Sequence, residues 1–585
     1  GLLCIYKEMI VTHGSQAGPH NWPIHFRKKL IISFSFLCVA ALGIALAQDH
    51  ASLDPDFAKA LHAIRPDALR AHLEFLSDDA LEGRHTGSRG HQIAAKYVRA
   101  QLLGLGLKGG AKDGSFFEPV SLRGSEVDLS TSSLVIQGAA QEKKLVYNED
   151  FVLFDTQAQT TGSVTAPVVF AGYGISAPEL GYDDYAGIDA KGKIVALLGF
   201  AAPASFPATE RAYFMDGQVK RDNAFAHGAV GLIVMSTPEL EQQFPWVDIL
   251  REVKIGAGSL RWLDSPNHAF GLDEQIKAVA FLNRPGAVAL FAGEQHTLEE
   301  VFSGARAGKP GAFPLHKTVS IHFQARHTQV ESMNVVGILP GSDPSLRNEY
   351  VVFSAHLDHL GIGPAVDGDN IYNGALDNAA GCAAMLEVAR FFASLPAPPA
   401  RSVAFVAVTG EEEGLLGSEA FAQHSPLPGP IVANINVDGG EFVVPVRDVV
   451  AYGEEHSSLG ALARRAAAQL NLELSTDPQP EQGFFVRSDQ YSFLQVGIPV
   501  LQLDLGYKSA QPGVDPLAEM KKWQETIYHS PKDDASQKID YDGGARFAQF
   551  AALVTFYAAN GQRPTWNPND FFSKRFCKAG GMSCP

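Results

Sequence analysis

Cysteine is scarce in this 585-residue chain: there are 5, and Cys4 and Cys38 stand near the N-terminal end. Nothing in their spacing suggests a thiolate metal site or a cysteine nucleophile, and Cys382, at an apolar helix start, reads as a buried small hydrophobe. No run of five basic residues occurs, which argues against nucleic acid as a partner. A Gly-x-Ser-x-Gly nucleophile elbow and a phosphate-binding Gly-Lys-Ser or Gly-Lys-Thr loop are absent as well. Gly172-Tyr173-Gly174 starts like a dinucleotide fingerprint, but Pro178 follows and no helix does. Internal repeats are missing. What is present is ordinary for a globular protein: 46% hydrophobic and 19% charged residues, with a formal charge of −17 that describes mainly a solvated surface. The length suits two to four domains, or one large domain carrying an insertion.

A single apolar run is long, from Leu30 to Ala47. Arg27, Lys28 and Lys29 precede it and Ala45-Leu46-Ala47 closes it, the pattern of a secretory signal peptide. Residues 1–47 are therefore expected to be an export segment with an upstream extension, Met9 being a candidate start. The expected destination is the periplasm or the extracellular space, with an uncleaved membrane anchor as the alternative on grounds of length. Cys577 and Cys584 lie close together in a Gly-rich tail. For an exported protein both a disulfide and two free thiols stay open.

Residues 60–155 read as helices around 71–76 and 92–105, joined by the polar loop Gly83-Arg84-His85-Thr86-Gly87-Ser88, then as short strands. Residues 160–325 read as a small β-rich unit with strands at 164–171, 192–198 and 228–235. From 330 to 562, dense apolar runs at 334–339, 350–355, 402–408 and 431–437 alternate with helical patterns at 381–392, 415–423, 459–470 and 545–559. That alternation predicts a three-layer α/β/α domain with a mostly parallel central sheet, and residues 563–585 form a tail.

The chemistry stands at the ends of the predicted strands. His356-Leu357-Asp358-His359 follows the run ending at Ala355, Glu411-Glu412-Glu413 follows the run ending at Val408, and Asp438 follows Val437. In open α/β sheets the crevice beyond the carboxyl ends of the strands binds ligands. The loop before the 381–392 helix adds Asp377, and a later loop offers His529. So many carboxylates in one crevice repel unless divalent cations compensate them. Imidazole and carboxylate donors without thiolates suit zinc, with manganese or cobalt as substitutes. Neighbouring Glu411 and Glu412 point differently on a turn, so one is free to bind metal while the other faces water. Glu413 is then expected to be a solvated helix-start charge. His316, His322 and His327 read as loop or strand histidines.

The blocks Ala355-His356-Leu357-Asp358-His359-Leu360-Gly361, Asn373-Gly374-Ala375-Leu376-Asp377-Asn378-Ala379-Ala380-Gly381 and Glu411-Glu412-Glu413-Gly414-Leu415-Leu416-Gly417-Ser418 together resemble the co-catalytic dizinc aminopeptidases, the group of bacterial leucyl aminopeptidase, aminopeptidase Y and glutamate carboxypeptidase. The resemblance implies two zinc ions per chain. Asp377 would bridge them, His356 and Asp438 would complete one site, and Glu412 and His529 the other. Glu411 would be the general base, taking a proton from a water held between the metals, and Asp358 the carboxylate that orients His356. The implied activity is hydrolysis of N-terminal residues from peptides with a free N-terminus. A carboxypeptidase or glutaminyl cyclase on the same scaffold, and a non-catalytic peptide-binding relative, are the alternatives. Residues 168–175, 192–195 and 226–231 resemble an inserted protease-associated domain. Gln490, in Arg487-Ser488-Asp489-Gln490, stands where many relatives carry histidine. Arg487 is read as a structural ion-pair residue, with a substrate carboxylate as its alternative partner.

Overall fold

A computed structural model describes residues 55–138, 142–255, 259–439 and 442–577. The expected export segment and Cys584 lie outside the described residues. Among the described residues no helix is long and apolar enough to cross a membrane. Helix α1 (Pro66–Leu76) begins with Pro, whose missing N–H costs nothing in a first turn, and sets Asp67 against the positive end of the helix dipole. Leu69, Leu73 and Leu76 recur on one face and are buried. Helix α2 (Arg89–Gly104) is capped by Ser88, whose side chain accepts from His91 N. Strand β1 (Phe117–Val127) follows.

The chain then builds a second sheet from β2 (Ser133–Gln137), β3 (Glu142–Leu145), β4 (Phe151–Phe154), β5 (Thr161–Ala171), β6 (Ile194–Leu198) and β7 (Gly231–Met235). β8 (Leu260–Ser265) leaves it to pair antiparallel with β1. β9 (Val279–Leu282) rejoins it. β10 (Ala312–Leu339) is a 28-residue strand shared by both sheets. Its residues Ala312–Gln324 pair with β5, Ala325–Val335 with β1 and Val335–Leu339 with β12 (Ser402–Val408). Across the second sheet the order is β3–β2–β10–β5–β6–β7–β9–β4, with β5, β6, β7 and β9 parallel.

The first sheet is completed by β11 (Tyr350–His356), β12, β13 (Ile431–Val437), β14 (Asp448–Tyr452), β15 (Glu473–Ser475) and β16 (Val500–Leu505). Its order is β8–β1–β10–β12–β11–β13–β16–β14–β15, and the central β12, β11, β13 and β16 are parallel. Every residue of β11, β12 and β13 is buried, as strands covered on both faces must be. On one side the core joins α1, α3 (Ala380–Ala393), α4 (Leu459–Gln469) and α5 (Tyr541–Asn560) to Phe353 and Phe405. On the other, Val352 and Val406 share a core with Phe421, Phe493 and the second sheet's Phe170 and Ile233.

This is the mixed α/β class with a mostly parallel central sheet that the alternating pattern predicts. Three details differ. The strands from Ser133 to Phe154, read with the first region, hydrogen-bond into the second sheet. β16 does not read as a dense apolar run because Gln502 and Asp504 interrupt it, although both are buried. The predicted tail is packed as far as its described residues reach: Trp566 and Phe572 are core residues, and Phe572 meets Tyr213 edge-on at 6.0 Å. Cys577 is disulfide-bonded.

Candidate metal centre

β12, β11 and β13 are adjacent and parallel, so their carboxyl ends open on one crevice. His356 is the last residue of β11, Glu411 and Glu412 follow β12 through a turn at Gly410, and Asp438 directly follows β13. Asp377 reaches the crevice from the turn that precedes α3, and His529 from the loop before α5. That turn begins at Gly374, with φ +59°, and a Cβ there would fall 2.5 Å from Cγ of His359. Glycine is required both by the left-handed backbone and by the ring beside it.

The two oxygens of Asp377 face opposite donor sets. Oδ1 lies 3.1 Å from His356 Nε2, which is also 3.0 Å from Asp438 Oδ1. Oδ2 lies 2.8 Å from His529 Nε2, which is 3.5 Å from Glu412 Oε2. His356, Asp377 and Asp438 form one group of potential ligands within 4.8 Å of one another, and His359, Asp377, Glu412 and His529 form a second. Glu411 Oε2 is 4.0 Å from His356 Nε2, and Glu411 is 1% exposed. Burial disfavours a charged His356, yet the carboxylates of Asp438, Glu411 and Asp377 outweigh it and push the imidazole well up. Carboxylates held this close in a buried crevice need compensating positive charge, and the donor set of carboxylate oxygens and imidazole nitrogens fits zinc-type cations.

The support is denser than the sequence suggested. Asp358 was expected to orient His356 through its carboxylate. That carboxylate sits 4.0 Å from His356 Nδ1, which instead meets the Asp358 backbone carbonyl at 3.1 Å. The Asp358 carboxylate accepts the Glu411 and Glu412 backbone N–H groups at 3.2 and 3.3 Å and the Thr86 hydroxyl at 3.0 Å. It therefore fixes the backbone that carries both glutamates. Asp533 does the same for Asp377, accepting from Leu376 N and Asp377 N at 3.0 Å each, and burial pushes its carboxyl up to about 6. The buried Arg84 guanidinium donates to the carbonyls of Leu357, Leu76, Asn373 and Gly374 and ties the 83–88 loop under the site.

Glu413 is not a solvated charge: it is 3% exposed, accepts Leu260 N at 3.2 Å through Oε2 and contacts His85 Nε2 at 3.2 Å through Oε1. The turn into the following helix (Leu416–Gln423) carries it inward, toward β8. Gln490 is buried in a structural network, receiving Asn436 Nδ2 and donating to the Phe484, Phe485 and Gln502 oxygens. Arg487 stacks over Phe484 at 4.5 Å and donates to the Gln482 carbonyl rather than entering an ion pair. His316 contacts Glu294, His327 meets the Thr156 carbonyl, and both lie on β10 with His322, far along the strand from its β12-paired end. His359 carried no assigned role in the sequence. The signal was there, a second imidazole three residues after His356, but periodicity cannot say which way it turns.

Residues 334–555 match the profile of peptidase family M28. A probable zinc metalloprotease of Pyricularia oryzae is 28% identical over 262 residues, which cover 40% of this chain and 50% of its own length. Aminopeptidase YwaD of Bacillus subtilis is 33% identical over 233 residues, 39% of this chain and 44% of its own. Among solved structures, an aminopeptidase from Aneurinibacillus sp. strain AM-1 covers 88% of this chain and 98% of its own at 19% identity and a TM-score of 0.48. The chain thus spans half or less of the two curated relatives' lengths. All the candidate ligands fall inside the M28 segment, whereas Arg84, Thr86 and His85, which brace it, come from the chain before it.

Proposed function

We propose that this chain is an exported zinc-dependent aminopeptidase with two zinc ions, acting on peptides with a free N-terminus. The observation that carries the reading is Asp377, whose two carboxylate oxygens face separate His and carboxylate sets with Glu411 beside them. Zinc and aminopeptidase activity are supported by the similarity to a probable zinc metalloprotease and to an aminopeptidase, joined to that donor set. Manganese or cobalt are substitutes the same donors accept.

His356 and Asp438 would hold one ion, His529 and Glu412 the other, and Asp377 both. Bound zinc supplies Lewis acidity at the scissile carbonyl and lowers the pKa of the attacking water. Glu411 takes the proton of that water and delivers it to the leaving amine. Its backbone N–H, like that of Glu412, is held by the Asp358 carboxylate, so one side chain fixes the backbone of both base and ligand. Export is supported by the charged and apolar pattern of residues 27–47 and by the disulfide at Cys577. Residues 160–325 are read as a protease-associated domain that shapes substrate access; within that segment Leu260 of β8, which pairs with β1 of the first sheet, donates its N–H to Glu413 at the end of the same turn.

Purified protein is expected to cleave aminoacyl chromogenic substrates and unblocked peptides, to lose that activity with a chelator and to regain it with zinc. Glu411→Gln is expected to retain zinc and lose turnover by about 10²–10⁴-fold. Full activity after exhaustive metal removal, or equal cleavage of N-terminally blocked peptides, would sink the reading.

A further inference from the structure

We propose that His359 is a positioning residue of the second ion site: its Nδ1–H donates to Glu412 Oε1 and so turns Glu412 Oε2 toward the ion. The inference rests on the metal-centre reading above. Glu412 is placed between two imidazoles, with Oε1 2.8 Å from His359 Nδ1 and Oε2 3.5 Å from His529 Nε2. Only the second of these imidazoles also meets Asp377 at hydrogen-bonding distance, 2.8 Å, whereas His359 Nδ1 is 3.9 Å from the same oxygen. Glu412 therefore presents one oxygen to the bridging carboxylate's donor set and the other to His359.

The tautomer decides between a ligand and a hydrogen-bond donor. His359 is fully buried and its Nε2 has no hydrogen-bond partner. A neutral imidazole that bound an ion through Nδ1 would carry its proton on Nε2, where the buried N–H would find no acceptor. With the proton on Nδ1, the donor meets a carboxylate and Nε2 keeps only a lone pair. The ring has no room to flip freely: Gly374 lies against its Cγ edge, His529 stands edge-on at 5.5 Å and 81°, and its backbone N–H is held by the Arg84 carbonyl. Carboxylate ligands that are themselves hydrogen-bonded bind metal in a set orientation, and loss of such partners costs about 10–100-fold in metal affinity.

The test is a zinc titration of the full-length, metal-stripped protein against a chromophoric chelator, giving the number of ions and the Kd of each. Wild type is expected to bind two ions. His359→Ala is expected to weaken one of the two by about 10–100-fold and leave the other unchanged. His359→Asn, whose amide Nδ2 is bonded to Cγ as the ring Nδ1 is, returns an N–H to the same place and is expected to recover most of that loss. His359→Phe, which keeps the ring's bulk without a donor, replaces the alanine variant if circular dichroism shows the latter misfolded. Two ions bound as tightly as in wild type by the alanine or phenylalanine variant would overturn the proposal. Equal loss in His359→Asn and His359→Ala would also overturn it, since the ring nitrogen would then be a ligand. A wild-type protein that takes up no zinc would instead bring down the metal centre itself, before any variant is compared.

Discussion

At the scale of single residues, the buried histidines of this protein divide by what faces them. His356 is surrounded by carboxylates, while His91, on α2, has its Nε2 buried without a partner and its imidazole pushed by burial down to about 4. The folded state therefore keeps His91 neutral where the unfolded chain takes up a proton near pH 6.5. Its contribution to stability is complete above pH 6.5 and is lost as pH falls toward 4, reaching about 3 kcal/mol at the lower end. Denaturant titrations of metal-free protein at pH 7 and pH 4 should show wild type losing that much more than His91→Leu. Equal losses would contradict it. The sequence reading gives His91 no role and starts the helix one residue later, at 92. Its neutrality follows from what α2 packs against, which periodicity does not encode.

At the scale of elements, the turn after β12 carries three glutamates with three destinations. Glu411 and Glu412 enter the crevice, and Glu413 turns to β8 and His85. That the first two enter the crevice was legible from their position just past a strand end; which of them is base and which is ligand was read only from the family resemblance. The third was not, because the acceptor needs a backbone N–H some 150 residues earlier in the chain, at Leu260. Glu413→Ala leaves that N–H buried without its acceptor. It is expected to destabilise the protein by about 1–3 kcal/mol and to speed amide exchange at Leu260, with zinc binding retained. Hydrogen exchange on peptides spanning 259–265 reads this directly, and unchanged protection there would refute the link. Asp358 shows the same limit: its closeness to the site was readable, but its hold on two backbone amides rather than on His356 required the packed turn.

At the scale of the molecule, the M28 segment does not own its core. Leu69, Leu73, Ala94 and Val98, from α1 and α2, lie in one cluster with Phe353, Phe405 and Ile435, and β1 runs beside β10 for eleven residue pairs. Each such leucine contributes about 1.5–3 kcal/mol when fully buried. A fragment starting at residue 334 is therefore expected to be unfolded or insoluble, even though it holds every candidate ligand. Circular dichroism of that fragment beside the full chain tests this, and a cooperative native-like melt from the fragment would disprove it. The border that the sequence reading draws between residues 325 and 330 falls inside β10, one continuous strand that serves both sheets, so no loop separates the two regions there.

Local pattern was enough for the α/β class, the parallel central strands and the crevice residues His356, Asp377, Glu411, Glu412, Asp438 and His529. The class and the strand-end residues His356, Glu411, Glu412 and Asp438 depend on short-range periodicity and on standing at or just past a strand end, both written in neighbouring residues, whereas Asp377 and His529, on loops, were read from the motif resemblance. Tertiary structure alone decided which oxygen of Asp377 faces which histidine, where Glu413 goes, that His359 meets Glu412, and that two sheets share one strand. Those are contacts between residues far apart in the chain, chosen by how buried polar groups find partners once the layers close.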